Sequence, residues 1–441
     1  MVSGSDESAS VYGIRLTTVG PGNVTGDVIY EPSNMDLAMK LHYLRVVYFL
    51  RSQAVEGVTL AMLKEHIFTS LNYYYEICGR FRRSEATGRP HIKCNDCGTR
   101  FIEAKSGKTV DEWIEMMDTS AHRMLVSDQV LGPELTFSPP TLIQITLLKC
   151  GGMAVGLSWA HVLGDAFSLA EFMNLWARIM GGHRPTHQPN LSKCEPKIDK
   201  QHPGPQMAGP PRSLKRVGPV GDHWITTPPS EMATYSFHVT TPQLTKMLGQ
   251  NGDGPTSVFH SICAVFWQAI ANIRNGPKPR TVTIVEPDTK TSYICRDGSE
   301  TLSNSQVVSA VTAGFSIAHA HLKDLAELIH ERAVDERGQI SEIAGKEPGS
   351  ADFIIYGANL TFVDWEDAPF YEFEFKGMKP SLVSCFVDGI GEEGVVLVLP
   401  GPPVKPAEEE GSKTTRIVTV ILPEGDLLAL KRELLEEWSI A

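Results

Sequence analysis

Residues 158–168 read SWAHVLGDAFS and place His161 and Asp165 four positions apart, directly after the strand-like run MAVGLSW. Histidine is the side chain best suited to take a proton near neutral pH. An acid four residues on can fix the loop that presents it. With 14 histidines in the chain, about one such spacing is expected by chance, so its weight comes from its surroundings. A second group of reactive types is Cys94-x-x-Cys97 with His91. It lacks a second Cys pair at finger spacing and its segment reads as a hairpin, so no metal site is expected.

The elements around His161 are those needed to hold it. PTLIQITLLKCGGMAVGLSWAH reads as two β-rich runs joined by Lys149, Cys150, Gly151 and Gly152, a hairpin whose second strand delivers the histidine. DAFSLAEFMNLWARIM then reads as a helix with Leu169, Phe172, Met173, Leu175, Trp176 and Ile179 on a broad apolar face. Upstream, residues 34–50 show broad helical spacing, although Val46 to Phe49 also suit a strand. Residues 63–80 read as an amphipathic helix stopped by Gly79, and residues 91–105 as two short strands around an Asn-Asp-Cys-Gly turn.

Residues 183–212 are dense in proline and poor in hydrophobic pattern, as expected of a linker. Beyond it, MATYSFHVT, PRTVTIVEP, YGANLTFVDW, VSCFVDGI, GVVLVLP and TRIVTVILP read as strands. Residues 257–274, HLKDLAELIHERAVDER and the closing EGDLLALKRELLEEW read as helices. The terminal helix carries Leu427, Leu430, Leu434 and Trp438 on one face, and EEEGSK at 408–413 reads as a solvated loop. The order is mixed, giving an α/β or α+β class in two comparable halves.

With 441 residues, 42% hydrophobic and 21% charged, the chain has the balance of a globular protein of two or three domains. Its net charge of -12 argues against nucleic acid as the main partner and against general attraction to anionic membranes. Eight scattered cysteines suggest free thiols in a reduced, cytosolic setting. No apolar run approaches the ~20 residues that span a bilayer, so any membrane association is expected to be peripheral.

Read as whole strings, the chain resembles the plant BAHD acyl-CoA acyltransferases over nearly its full length. The likeness is carried by LNYYYEICGR, the CNDCG and FIEA strands, HVLGD, the proline-rich crossover, SVFHSICAVFWQA and VDWEDAPFYEFEFKGMKP. NMDLAMKLHYLR, SDQVLGPELTFSP, KCGGMAVGLSWAHVLGD and YGANLTFVD resemble the Eceriferum/Glossy wax-biosynthesis branch in particular. The resemblance implies a two-domain chloramphenicol-acetyltransferase-like α/β fold with a central channel between the domains. The expected division is an N-terminal domain at 1–182, a crossover at 183–214 and a C-terminal domain at 215–441. A segment of about 376–400 would return to complete the first domain.

In catalytic members the histidine matching His161 lies in that channel, open to both sides. It takes a proton from an acceptor hydroxyl or amine, which then attacks an acyl-CoA thioester. The aspartate matching Asp165 is structural and pairs with an arginine. Trp365 and Phe375 match positions of the substrate-binding lining. The Eceriferum branch implies another role: action with the elongase condensing enzyme, a 3-ketoacyl-CoA synthase, at the cytosolic face of the endoplasmic reticulum. There it would extend products beyond about C28 for cuticular wax. Very-long-chain acyl-CoA would be substrate or ligand, with no separate cofactor.

The chain departs from the catalytic pattern at several places. Where catalytic members carry DFGWG, it has Glu374, Phe375, Lys376, Gly377 and Met378, keeping only the phenylalanine in register. Where they often carry Thr-Ser-Trp, it has Val363, Asp364 and Trp365. A valine offers no hydroxyl to a developing oxyanion, and losing one such donor can cost on the order of 100-fold. Ala166 replaces the glycine that commonly follows the motif aspartate. The arginine-containing segment and Gly-Asn pair expected after PRTVTIVEPDTKT have no clean match. Two functions stand: an accessory that binds acyl-CoA for an elongase, and an acyl-CoA-dependent O- or N-acyltransferase with His161 as general base.

Overall fold

The computed structural model describes residues 10–116, 119–183, 185, 209–226, 231–251, 256–274, 278–288, 302–346, 349–403 and 415–441. The loop expected at 408–413, nearly all of the proline-rich crossover and the segment following PRTVTIVEPD lie outside them. Two large mixed sheets organise the described chain. The first runs in the order Tyr12–Val19, Thr99–Ser106, Thr141–Leu148, Met153–Ala160, Tyr43–Leu50 and Leu382–Asp388. The second runs Met232–Val239, Arg416–Pro423, Val395–Pro400, Leu360–Asp364, Thr281–Glu286, Val307–Thr312 and Val334–Asp335. Of the segment 376–400 expected to return to the first half, Leu382–Asp388 lies in the first sheet and Val395–Pro400 in the second.

The hairpin of Thr141–Leu148 and Met153–Ala160 forms in antiparallel register as its sequence predicts, with Ile145 opposite Val155. The helix after it spans Ala166–Met180 and buries Leu169, Phe172, Met173, Leu175, Trp176 and Ile179. Other expectations are corrected. Residues 34–50 split into a short helix, Asn34–Ala38, and a fully buried strand, Tyr43–Leu50. Burial on both faces makes that strand apolar at every step but Arg45, which hides its period from a sequence reading. Residues 63–80 end their helix at Ser70, after which a 3-10 turn, Tyr75–Cys78, and a strand, Arg80–Arg83, follow. The two strands near Cys94 and Cys97 belong to different sheets: Pro90–Lys93 pairs with Arg80–Arg83, and Thr99–Ser106 with the first large sheet. Their intervening turn is a crossing between sheets and not a hairpin.

The second sheet explains how the halves meet. Its strands Thr281–Glu286, Leu360–Asp364 and Val395–Pro400 run parallel. Side chains alternate across such a sheet. Val282, Ile284, Leu360, Phe362, Val396 and Val398 face a core shared with the helices Val258–Ile273, Leu322–Arg332 and Glu424–Trp438. Val285, Val363, Val395, Leu397 and Leu399 join the core of the first half. One face therefore packs helices and the other forms the seam between halves, which is why these strands are near-continuous hydrophobic runs. Among the described residues, no helix is long and apolar enough to cross a membrane.

Candidate functional site

His161 opens a 3-10 turn, His161–Leu163, at the end of the hairpin's second strand. The strand register sets its position: its amide donates to the His42 carbonyl at 3.0 Å. The next turn is pinned by the Trp159 indole, which donates to the Gly164 carbonyl at 3.0 Å. The His161 side chain is 0% exposed. The channel position open to both sides, expected from the resemblance, is therefore closed around this residue.

Two side chains from elsewhere in the chain close it. The Tyr356 hydroxyl lies 3.1 Å from Nε2 of His161, with ring centroids 5.3 Å apart. The His42 ring lies 6.4 Å from that of His161 and 5.0 Å from that of Tyr356. Nε2 of His42 accepts from the Ile355 amide at 3.1 Å and the Tyr356 amide at 3.4 Å. Nε2 of His42 is thus an acceptor, and the backbone carrying Tyr356 is anchored to it. Nδ1 of His161 is buried with no hydrogen-bond partner of ordinary geometry.

Burial dominates the electrostatics. It lowers the His161 imidazole to about 4, against modest support for the charged form from its own carbonyl, the Asn304 side chain and Asp36. Burial and then the neighbouring His161 ring lower His42 to about 3. Both rings are neutral at pH 7. An unprotonated His161 is a competent proton acceptor in charge state, but its Nε2 already faces a phenol.

Asp165 does not touch His161 through its carboxylate; it caps the following helix. Oδ1 accepts from the amides of Phe167 and Ser168, each at 3.1 Å. Oδ2 accepts from the Ser305 amide at 3.2 Å and the Ser305 hydroxyl at 3.3 Å. Burial raises this carboxyl to about 6, and those four donors oppose the rise. The arginine expected as its partner would come from a segment outside the described residues; Ser305 is the partner on the second half that the structure records.

The strip 303–306 carries the remaining links. The Asn304 side chain donates to the His161 carbonyl at 2.8 Å and to Oδ1 of Asp36 at 3.0 Å. Asp36 in turn closes a capping box with Ser33 on the short helix Asn34–Ala38. Trp365 is buried and its indole lies 3.5 Å from Oε1 of Gln306, which places it beside this strip. Phe375 is placed differently: its ring packs on Phe373 and Trp176, with centroids 4.9 and 6.0 Å away. Around it the chain makes a tight turn with Lys376 and Gly377 at positive φ, closed by reciprocal amide bonds between Phe375 and Met378.

At the position of the expected Thr-Ser-Trp, Val363 is fully buried and Asp364 accepts from the Glu366 amide at 2.9 Å. Burial, reinforced by Glu366, Glu286 and Asp367, raises Asp364 to about 7. A partly neutral acid thus stands where a hydroxyl was expected. Among the described residues, no group of three or more His, Cys, Asp or Glu is placed to hold a metal ion.

A cavity of about 540 Å³ opens at the seam, lined in part by Arg123, Val130, Ile225, Met232 and Ile390. Gly389 forms part of its wall and packs onto the Leu41 carbonyl, next to His42. Asp388 beside it is held by both Arg45 and Arg123.

Sequence reasoning found His161 and Asp165 but missed Tyr356, His42, Asn304 and Ser305. Tyr356 opens YGANLTFVD and His42 sits inside NMDLAMKLHYLR, strings noticed for their likeness to a family. Nothing in their spacing relates them to His161, since 195 residues separate Tyr356 from it.

Comparison with known proteins gives a consistent result. The model of the family described as the Transferase family matches residues 9–436. The chain is 41% identical over 429 residues to Protein ECERIFERUM 26-like of Arabidopsis thaliana, covering 97% of this chain and 96% of that one. It is 36% identical over 441 residues to Protein ECERIFERUM 2 of the same plant, covering 97% and 98%. Among solved structures, vinorine synthase aligns with a TM-score of 0.68 at 16% identity, covering 96% of this chain and 97% of that one.

Proposed function

The chain belongs to the Transferase family, the BAHD acyltransferases, in the branch of the ECERIFERUM proteins, and from that premise we propose that it is an accessory of very-long-chain fatty acid elongation for cuticular wax. It holds a very-long-chain acyl-CoA and acts with the elongase condensing enzyme, a 3-ketoacyl-CoA synthase. It works in the cytoplasm, peripheral to the cytosolic face of the endoplasmic reticulum. The observation that carries this reading is Val363, a fully buried valine at the position where the resemblance to catalytic members leads one to expect a threonine. Binding survives such a change, whereas stabilisation of a tetrahedral oxyanion is weakened.

The physical demand is modest. Each buried methylene contributes about 0.8 kcal/mol, so two more carbons held out of water contribute roughly 1.6 kcal/mol. That is about a tenfold preference, enough to shift a chain-length distribution without new chemistry. Co-expression with the condensing enzyme tests it: products should lengthen beyond the enzyme's own limit. Unchanged product lengths overturn the proposal.

A second reading, an acyl-CoA-dependent O- or N-acyltransferase, is favoured by one observation: His161 is neutral at pH 7 and so in the charge state of a base. His161→Ala separates the two. A true acyltransferase should lose 10²- to 10⁴-fold, as is typical of a missing general base. Under the accessory reading, elongation largely survives.

A further inference from the structure

His161 has two ring nitrogens, both buried. Nδ1 is without a hydrogen-bond partner among the described residues. Nε2 points to the Tyr356 hydroxyl. That phenol is buried and is not loosely placed. Its backbone amide and that of Ile355 are held by His42, and Gly357 beyond it packs against Gly391 with no room for a Cβ on either residue. With Nε2 as the acceptor and the phenol as the donor, the two form a neutral pair that needs no solvent. A water molecule could give a proton to Nε2 only after displacing the hydroxyl.

We propose that the Tyr356 hydroxyl is a latch on His161 and that the site behind it is a latent acyl-CoA hydrolase. The proposal rests on the preceding reading in one respect: acyl-CoA must bind near His161. With the latch removed, Nε2 takes a proton from water as its oxygen attacks the thioester carbonyl carbon. The carbon–sulfur bond breaks, the imidazolium returns the proton to the leaving thiolate, and the products are a free fatty acid and CoA. Water is the only co-reactant. Tyr356 acts through His161 and is a positioning residue; His161 is the group that would touch the reacting atoms. The latch also accounts for a retained base in a protein proposed to hold its acyl-CoA intact.

The test uses the purified full-length chain and hexacosanoyl-CoA delivered from cyclodextrin. Released CoA is measured chromatographically, because Cys97 and Cys150 are exposed thiols that would consume a thiol reagent. Tyr356→Phe removes only the hydroxyl and should raise CoA release at least about tenfold over the wild type, within the range a general base supplies. Tyr356→Ala, which also removes the ring, should raise it further. His161→Ala placed in the Tyr356→Phe background should return release to the wild-type level, a result that a merely loosened structure would not give. Binding of the same acyl-CoA is followed in parallel by thermal stabilisation. If both proteins bind and Tyr356→Phe releases no more CoA than the wild type, the latch is overturned and the accessory role stands. If neither binds, both fall. A measurement on the wild type is independent of any variant: ¹⁵N shifts of His161 should show Nδ1 protonated and Nε2 bare, and the opposite tautomer overturns the latch.

Discussion

Asp165 and Ser305 are joined by two hydrogen bonds, at 3.2 Å from the serine amide and 3.3 Å from its hydroxyl, although 140 residues separate them. Asp165 follows the last strand of the first sheet's hairpin, and Ser305 precedes the strand Val307–Thr312 of the second sheet. One carboxylate thus caps a helix with one oxygen and ties the two halves with the other. Both tasks use a buried acceptor with four donors around it.

Asp165→Ala should therefore destabilise the protein by about 1–3 kcal/mol, combining a lost helix cap with a buried serine amide left without its acceptor. Ser305→Ala keeps the amide bond and should cost less than about 1 kcal/mol. Denaturant titration of both variants checks the order; equal losses would contradict the division of labour between amide and hydroxyl.

The stability of the wild type should depend on His161 in acid. Its folded value of about 4 lies below the ordinary 6.5, so between those values the unfolded chain binds a proton that the folded chain does not. The contribution is fully present above about pH 6.5 and is lost as pH falls toward 4. Asp165, raised from 3.8 to about 6, has the opposite sign: the folded chain keeps its proton longer, and its contribution falls as pH rises through that window. His161→Gln removes only the first effect. From pH 7 to pH 4 the wild type should lose up to about 3 kcal/mol relative to that variant. A constant difference between the two melting profiles would sink this assignment.

Arg45 is 1% exposed and bonds to Asp388, Ser158 and the carbonyls of Asp128 and Gln129. Burial alone would raise Asp388, but Arg123 and Arg45 outweigh it and hold the carboxyl below its ordinary range. Asp388→Ala leaves the buried guanidinium without its counter-charge and should cost about 3 kcal/mol. Arg123→Ala, at a side chain about one-third exposed, should cost less than about 1 kcal/mol. Chemical denaturation of the pair would reveal the asymmetry.

Gly389 has φ +73° and a Cβ added there would sit 1.8 Å from the Leu41 carbonyl oxygen. Gly57 has φ +74° with nothing within 4 Å. Alanine at Gly57 should cost about 1–2 kcal/mol for the left-handed backbone alone. Alanine at Gly389 should add about 1–3 kcal/mol for the overlap. Comparable melting losses at the two positions would show that the wall beside His42 yields.

Local pattern made the hairpin, the helix after Asp165, the helix Val258–Ile273 and most strands of the second half legible, because each shows its own period or turn residues. It failed at Tyr43–Leu50, where burial on both faces erases alternation, and at residues 71–80, where the chain changes from helix to strand without a proline. His161 and Asp165 were legible because they lie four residues apart in one loop. Tyr356, His42 and Ser305 were not, because their roles arise from a seam between two sheets, and no short-range signal reports which side chains meet across it. Phe375 shows the converse: a residue placed by analogy in a binding surface packs into an aromatic cluster with Phe373 and Trp176.

The strand Leu382–Asp388, paired along its length with Tyr43–Leu50, has a consequence for biosynthesis. While the polypeptide emerges from the ribosome, Tyr43–Leu50 can find its neighbour Met153–Ala160 early, but its other edge stays bare until residue 388 has been translated. Fragments cut at the proline-rich crossover would carry that raw edge permanently, with a row of unpaired amides and carbonyls open to whatever chain comes near. The nascent protein is therefore exposed to self-association for most of its synthesis, and its two halves are unsuited to separate expression.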